Sequence, residues 1–274
     1  MKKSFIIINL LLSLLMGQDI QIEITGAGDG TSLGTITSWT VPSSAYYSIE
    51  AHGAGGAGFN PGYGANIKGY FNLSQGDNLL IAVGSVGQSH SNGSGGGGGG
   101  TFVALDYNTP IIVAGGGGGG GSQCNGYDAV TSECGATSSN GACSNTNNIS
   151  CNGDGGNTGL SNITAGSGAG FYYNGSSPKE NGYGEGGKGG QSFVNGAEGG
   201  HAHNQGGFGG AGSNTNGSPS AGGGGGGYSG GSGGEGGGGG GGGASYNSGN
   251  MQTNIVGYNS GSGYLIITLV ENIS

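Results

Sequence analysis

Four uninterrupted glycine runs, Gly95 to Gly100, Gly115 to Gly121, Gly222 to Gly227 and Gly236 to Gly243, constrain this chain more than any other feature. They belong to a total of 77 glycines in 274 residues and alternate with segments rich in β-branched and aromatic side chains. A glycine run buries no side chain, and ordering each of its residues costs roughly 1–2 kcal/mol of conformational entropy. Such runs either stay unfolded or offset that cost by hydrogen-bonding to one another.

The segments between them carry strand chemistry, with apolar and polar residues alternating and β-branched or aromatic side chains enriched. This predicts strands over Ile20 to Ile24, Thr35 to Val41, Tyr46 to His52, Ala65 to Leu73, Asn78 to Val83, Thr101 to Leu105, Pro110 to Ala114 and Tyr264 to Val270. Ser74-Gln75-Gly76-Asp77 reads as a hairpin turn joining two of them, with glycine and aspartate where a turn needs them. Asp106 to Thr109 reads as a second connection. From Gly115 to about Asn254 the strand signal is sparse.

Tyr264 to Val270 is the most apolar segment beyond the N-terminal one, so it must be buried, and its natural partners are the strands before Gly115. No amphipathic helical period of any length interrupts the pattern, which favours an all-β domain. The expectation is one β-sandwich closed by its last strand, with the glycine-rich region inserted between sandwich strands. The chain then divides into a leader (residues 1–17), strands with the first glycine run (18–114), a glycine-rich insertion with a disulfide loop (115–254) and a closing strand (255–274).

Five prolines and no sustained Gly-X-Y period exclude collagen. A flexible linker would not need the aromatic residues scattered through the insertion, among them Phe171, Tyr172, Tyr173, Phe193, Phe208, Tyr228 and Tyr246. Three-residue repeats such as Gly186-Gly187-Lys188 and Gly206-Gly207-Phe208 fit the three-fold polyproline-II conformation. Glycine helices of that kind lie close enough for the N–H of one to meet the C=O of the next. Each such bond contributes about 0.5–1.5 kcal/mol net, close to the ordering cost, so a bundle needs its ends pinned.

Met1-Lys2-Lys3 followed by the apolar stretch Ser4 to Met16 and Gly17 has the layout of a secretory signal peptide. That stretch is short of the ~20 apolar residues of a membrane span, and no later segment approaches that length. Cleavage near Gly17 would leave three lysines against 14 acidic residues, and the sequence has no arginine. A nucleic-acid partner, which needs cations to displace phosphate counterions, is thereby excluded.

Cys124, Cys134, Cys143 and Cys151 fall within 28 residues, at spacings of ten, nine and eight. In a secreted chain they predict two disulfides, with all three pairings open. No Cys-x-x-Cys pair and no nearby histidine support a zinc site. The bridges would brace an Asn/Ser/Thr/Gly-rich excursion, Ser122 to Asn162, that has too few apolar residues for a core of its own.

Tyr47 to Gly56, Gly64 to Leu73, Gly76 to Gly84, Gly95 to Val103, Ile111 to Gly117 and Ala221 to Gly230 join strand, turn and glycine run in one order. In that order the chain, over about residues 45 to 270, resembles the glycine-rich extracellular domain of the anaplastic lymphoma kinase and leukocyte tyrosine kinase receptors. The resemblance implies a tumour-necrosis-factor-like (jelly-roll) β-sandwich with an inserted polyglycine-II helix bundle. It implies an extracellular binding scaffold and nothing about phosphotransfer, since no His-Arg-Asp or Asp-Phe-Gly string occurs.

Gly-x-Gly-x-x-Gly strings carry no weight in a chain with this much glycine, and Gly-Lys-Ser/Thr is absent. His201-Ala-His203 lacks a third ligand nearby in sequence, and Asp29, Asp77, Asp106, Asp128 and Asp154 all sit beside turn residues, where aspartate caps its own backbone. No catalytic residue, metal or cofactor is expected. Tyrosine amid Ser, Asn and Gly is the composition of adaptable recognition loops. Tyr127, Tyr172, Tyr173 and Tyr183, in or near the excursions between glycine runs, are the candidate ligand contacts, with packing on the bundle as their alternative role.

The expected function is therefore a secreted, non-catalytic, adhesin-like or matrix-associated binding protein that presents loops to a glycan or protein. A protective coat protein without a discrete site and an ice-binding protein are the alternatives. Saturable binding, concentration-dependent assembly and thermal hysteresis, respectively, mark the three.

Overall fold

The computed structural model describes residues 9–10, 21–26, 30–146, 148–158, 164–178, 186–202, 204–212 and 219–270. The expected leader lies outside the described residues except for Asn9–Leu10 (β1), which pairs with Ile22 and Glu23. The remaining strands are β2 (Gln21–Thr25), β3 (Thr37–Thr40), β4 (Ala45–His52), β5 (Gly64–Leu73), β6 (Asn78–Ala82), β7 (Thr101–Asp106), β8 (Thr109–Ala114), β9 (Tyr246–Asn247), β10 (Asn250–Asn259) and β11 (Tyr264–Val270). The sole helical element among the described residues is a single 3-10 turn, Phe193–Asn195.

All strand pairs are antiparallel and form two sheets, ordered β1-β2-β11-β4-β5-β10 and β3-β6-β7-β8-β9. The apolar last strand β11 lies between β2 and β4, interior to the first sheet. Alternation sends Ile49 and Ala51 of β4, Ile67 of β5 and Leu265 and Ile267 of β11 to one face. There they meet Leu79 and Ile81 of β6, Val103 of β7 and Ile112 of β8 from the second sheet, so one core is shared by both sheets in a sandwich-like arrangement. Each such valine, leucine or isoleucine side chain, fully buried, contributes about 1.5–3 kcal/mol.

Two strand expectations need correction. Ser74 to Asp77 forms the expected turn, with Gly76 at φ 91° and the Asp77 carboxylate accepting the Ser74 amide at 2.8 Å. It does not close a hairpin, because β5 belongs to the first sheet and β6 to the second. Leu73 and Leu79 both reach the shared core from opposite sides, so the turn must carry the chain across it. Strand structure also resumes at Tyr246, ahead of the boundary placed at residue 255. The edge strand β10 is exposed over most of its length, so it needs no apolar alternation, and its polar Asn250 to Asn254 half gives no sequence signal.

The glycine runs pack against one another. The amides of Gly95 and Gly98 donate to the carbonyls of Gly120 and Gly117, at 2.9 and 2.8 Å. Gly116 and Gly119 donate to Gly226 and Gly223, both at 2.8 Å, and Gly223 and Gly226 in turn donate to Gly95 and Gly98, both at 3.0 Å. Gly240 and Gly243 donate back to Gly119 and Gly116, at 2.9 and 2.8 Å. In each pair the donors, and likewise the acceptors, are three residues apart.

Run 115–121 makes the rotation explicit. Gly116 and Gly119 face one neighbour, Gly117 and Gly120 donate to Ala54 and Ala57, and Gly118 and Gly121 donate to Tyr127 and Cys124. A β-strand bonds in two opposite directions; this segment bonds in three.

The insertion is also anchored by side chains. Phe171, Phe193 and Phe208 are fully buried and pack with Tyr228 on Phe102 and Ala104 of β7 and Val113 of β8. These strand residues point away from the shared core, so the second sheet is covered on both faces. Phe171 stacks on Phe193 at 4.9 Å, and Tyr228 on Tyr246 of β9 at 4.7 Å. Aromatics thus supply the apolar area that glycine lacks. The chain leaves the second sheet at Ala114 and returns beside the strand it left, Tyr246 pairing with Val113.

Candidate functional site

The four cysteines form two interleaved bridges, Cys124–Cys143 and Cys134–Cys151, which selects one of the three pairings left open by the spacing. Each bridge borders a cleft, and a tyrosine lines each cleft. The first, about 390 Å³, is formed by Gln123 to Tyr127 with Ser139 and Cys143. The Tyr127 hydroxyl donates to the Asn145 side-chain oxygen at 2.7 Å, and the Tyr127 amide and carbonyl bond Gly240 and Gly118 of the glycine lattice. Across the same loop the Asn60 side-chain amide donates to Asn125 at 3.2 Å.

The second cleft, about 380 Å³, is lined by Ile149, Asn152, Asp154, Asn157, Tyr173 and Asn174 beside Cys151. Tyr173 is 63% exposed and Ile149 56% exposed, so two large apolar surfaces face solvent in one concavity. The backbone beneath is tightly held. Asp154 donates its amide to the Cys151 carbonyl at 3.1 Å and accepts from Gly230 at 2.9 Å, and the Tyr173 carbonyl accepts from Gly170 at 3.0 Å. Asn152 and Gly153 adopt φ values of 60° and 81°, a left-handed turn that asparagine and glycine tolerate. The Asn174 side-chain oxygen accepts from the Ser192 amide and the Asn195 side chain, both at 2.9 Å.

The four candidate tyrosines are therefore not one site. Tyr127 and Tyr173 line separate clefts. Tyr172, next in chain to Tyr173, turns inward: its ring lies edge-on to Phe171 at 4.9 Å and its hydroxyl donates to the Asn108 carbonyl at 3.0 Å. Burial, with Tyr246 and Asp106 nearby, pushes its pKa up, as befits a packing residue. Tyr183 lies outside the described residues, as does His203. The His201 ring lies 3.2 Å from the Ser32 hydroxyl. Among the described residues no group of three His, Cys, Asp or Glu side chains is arranged to hold a metal.

One polar group escaped the sequence reading. On the face of the first sheet turned away from the core, the Glu50 carboxylate takes three partners: the His52 ring at 3.0 Å and the Asn66 amide at 3.1 Å on one oxygen, and Lys68 at 3.4 Å on the other. Burial works to raise the pKa of Glu50, but these partners outweigh it and hold the carboxyl below its ordinary value. Burial lowers the pKa of His52 against the opposing pull of Glu50. The ring stacks on Tyr264 at 3.8 Å, and its Nδ1 has no partner. An acid and an imidazole are paired here, against the rings of Tyr258 and Tyr264. Glu50 and His52 share an alternation face in sequence; their meeting with Lys68 and Asn66 depends on the β4–β5 register, which sequence alone leaves open.

No protein-family model matches the chain, and no curated protein matches it.

Proposed function

We propose that this chain is a secreted, non-catalytic binding protein of adhesin type. In this reading a jelly-roll sandwich carries a polyglycine-II bundle, as in the receptor domains that the sequence resembles, and the bundle holds disulfide-braced loops toward an extracellular partner. The observation that carries it is the pair of tyrosine-lined clefts, each bordered by a disulfide and each backed by lattice hydrogen bonds. The three-residue recurrence of lattice bonds supports three-fold glycine helices. The disulfides support an oxidising compartment.

Labelled, oxidised protein presented to panels of oligosaccharides and intact cells tests this, with a reduced control. Saturable binding that reduction abolishes is the expected result. Concentration-dependent assembly without saturable binding would replace this reading with the coat protein.

A further inference from the structure

The cleft at Cys151 supports a narrower statement, which rests on the binding function proposed above. A sugar ring offers two chemistries at once: a face of C–H groups that packs on an aromatic or aliphatic surface, and hydroxyls that need fixed donors and acceptors. The cleft offers both. Tyr173 and Ile149 present apolar surface, 63% and 56% exposed, and Asn152, Asp154 and Asn157 are exposed around them. Asparagine donates and accepts, and an ionised aspartate accepts from hydroxyls.

Charge and size narrow the ligand. Among the described residues no lysine, arginine or histidine lines the cleft, and the one carboxylate there is Asp154, so sulfated, sialylated or phosphorylated ligands meet repulsion from these walls. The chain as a whole carries a formal charge of −9, which acts in the same direction. The concavity is about 380 Å³. That volume lies at the low end of small-ligand pockets, roughly 300–1,000 Å³.

The walls are also preorganised. The Cys134–Cys151 bridge, the two backbone bonds of Asp154 and the fixed Asn174 side chain leave little to order when a ligand arrives. We propose that this cleft binds a neutral sugar of an extracellular glycan, stacked on Tyr173 and Ile149 and hydrogen-bonded by Asn152, Asp154 and Asn157.

The test uses oxidised protein and a panel of neutral hexose and N-acetylhexosamine oligosaccharides with matched sulfated and sialylated forms, followed by calorimetric titration of the best binder. Binding should favour the neutral members, and Tyr173→Ala and Asp154→Asn should each weaken it at least about tenfold. Leu33→Ala, an equally exposed truncation elsewhere, should leave it unchanged. Preference for the anionic forms, or neutral binding indifferent to both cleft substitutions, overturns this assignment while the wider binding function stands. Saturable binding to cells but to no oligosaccharide does the same. Absence of saturable binding to every oligosaccharide and cell overturns both.

Discussion

No side chain fits between Gly225 and Gly116: a Cβ on the first would lie 2.1 Å from the carbonyl oxygen of the second. Gly119 is held the same way, 2.2 Å from the carbonyl of Gly95. Neither residue adopts a positive φ, so their glycine identity is set by close backbone approach and not by a left-handed turn.

Gly225→Ala and Gly119→Ala should therefore each destabilise the protein by about 2–3 kcal/mol, because the obstructing atoms are backbone and cannot rotate aside. Gly261 is the internal contrast. A Cβ there meets only the Asn259 side-chain oxygen, at 3.8 Å, and Gly261→Ala should stay within about 0.5 kcal/mol of the parent. Equilibrium denaturation of the three variants checks the ranking; three equal effects would contradict a close-packed lattice.

The aromatic anchors give a second contrast. Phe193 is fully buried, with its ring 4.9 Å from Phe171 and 5.3 Å from Phe102. Phe193→Ala should cost about 3–5 kcal/mol, whereas Tyr173→Ala, at a ring 63% exposed, should change stability by less than about 0.5 kcal/mol. The same denaturation experiment reads both. A large loss at Tyr173 would show that its ring is a packing element.

These two residues also show what the sequence reveals and what it hides. Tyr264 to Val270 is read correctly to the residue because an apolar run bounded by glycine carries its own signal. The strands of the shared core are found because alternation is local. Ser74 to Asp77 is read correctly as a turn and wrongly as a hairpin, because turn chemistry reports φ and not which sheet the next strand joins. Phe193 and Tyr173 look alike in sequence, both aromatic in polar, glycine-rich surroundings; only the fold separates anchor from exposed wall. Glycine runs hide most, since identical residues carry no register, and which run meets which is decided by the anchors at their ends.

The interleaved bridges make a chemical prediction. Peptides joined through Cys124 to Cys143 and through Cys134 to Cys151 should be recovered by non-reducing digestion and mass spectrometry. Cys124 and Cys143 close a separation of 19 residues, for which restriction of the unfolded chain is worth about 3 kcal/mol. Replacing both by serine should lower stability by roughly that amount. Any other pairing would contradict the Cys134–Cys151 bridge beside the cleft.

His52 makes stability depend on pH with a definite sign. The ring is 1% exposed and stacked on Tyr264, with Tyr258 tilted against it at 5.4 Å, and burial holds its pKa below the ordinary value of 6.5 despite the Glu50 carboxylate. Between the lower folded pKa and the ordinary one, the unfolded chain binds the proton that the folded chain refuses. Stability is thus fully present above about pH 6.5 and is lost as pH falls through that value toward the folded pKa. Glu50, also held below its ordinary value, adds a further loss as pH falls below the ordinary carboxylate range. Lys68 pairs with the second Glu50 oxygen, at 3.4 Å. Urea midpoints measured from pH 8 to pH 5 should fall toward acid. His52→Gln should flatten the decline between pH 6.5 and pH 5, and an unchanged slope would show that another group sets it.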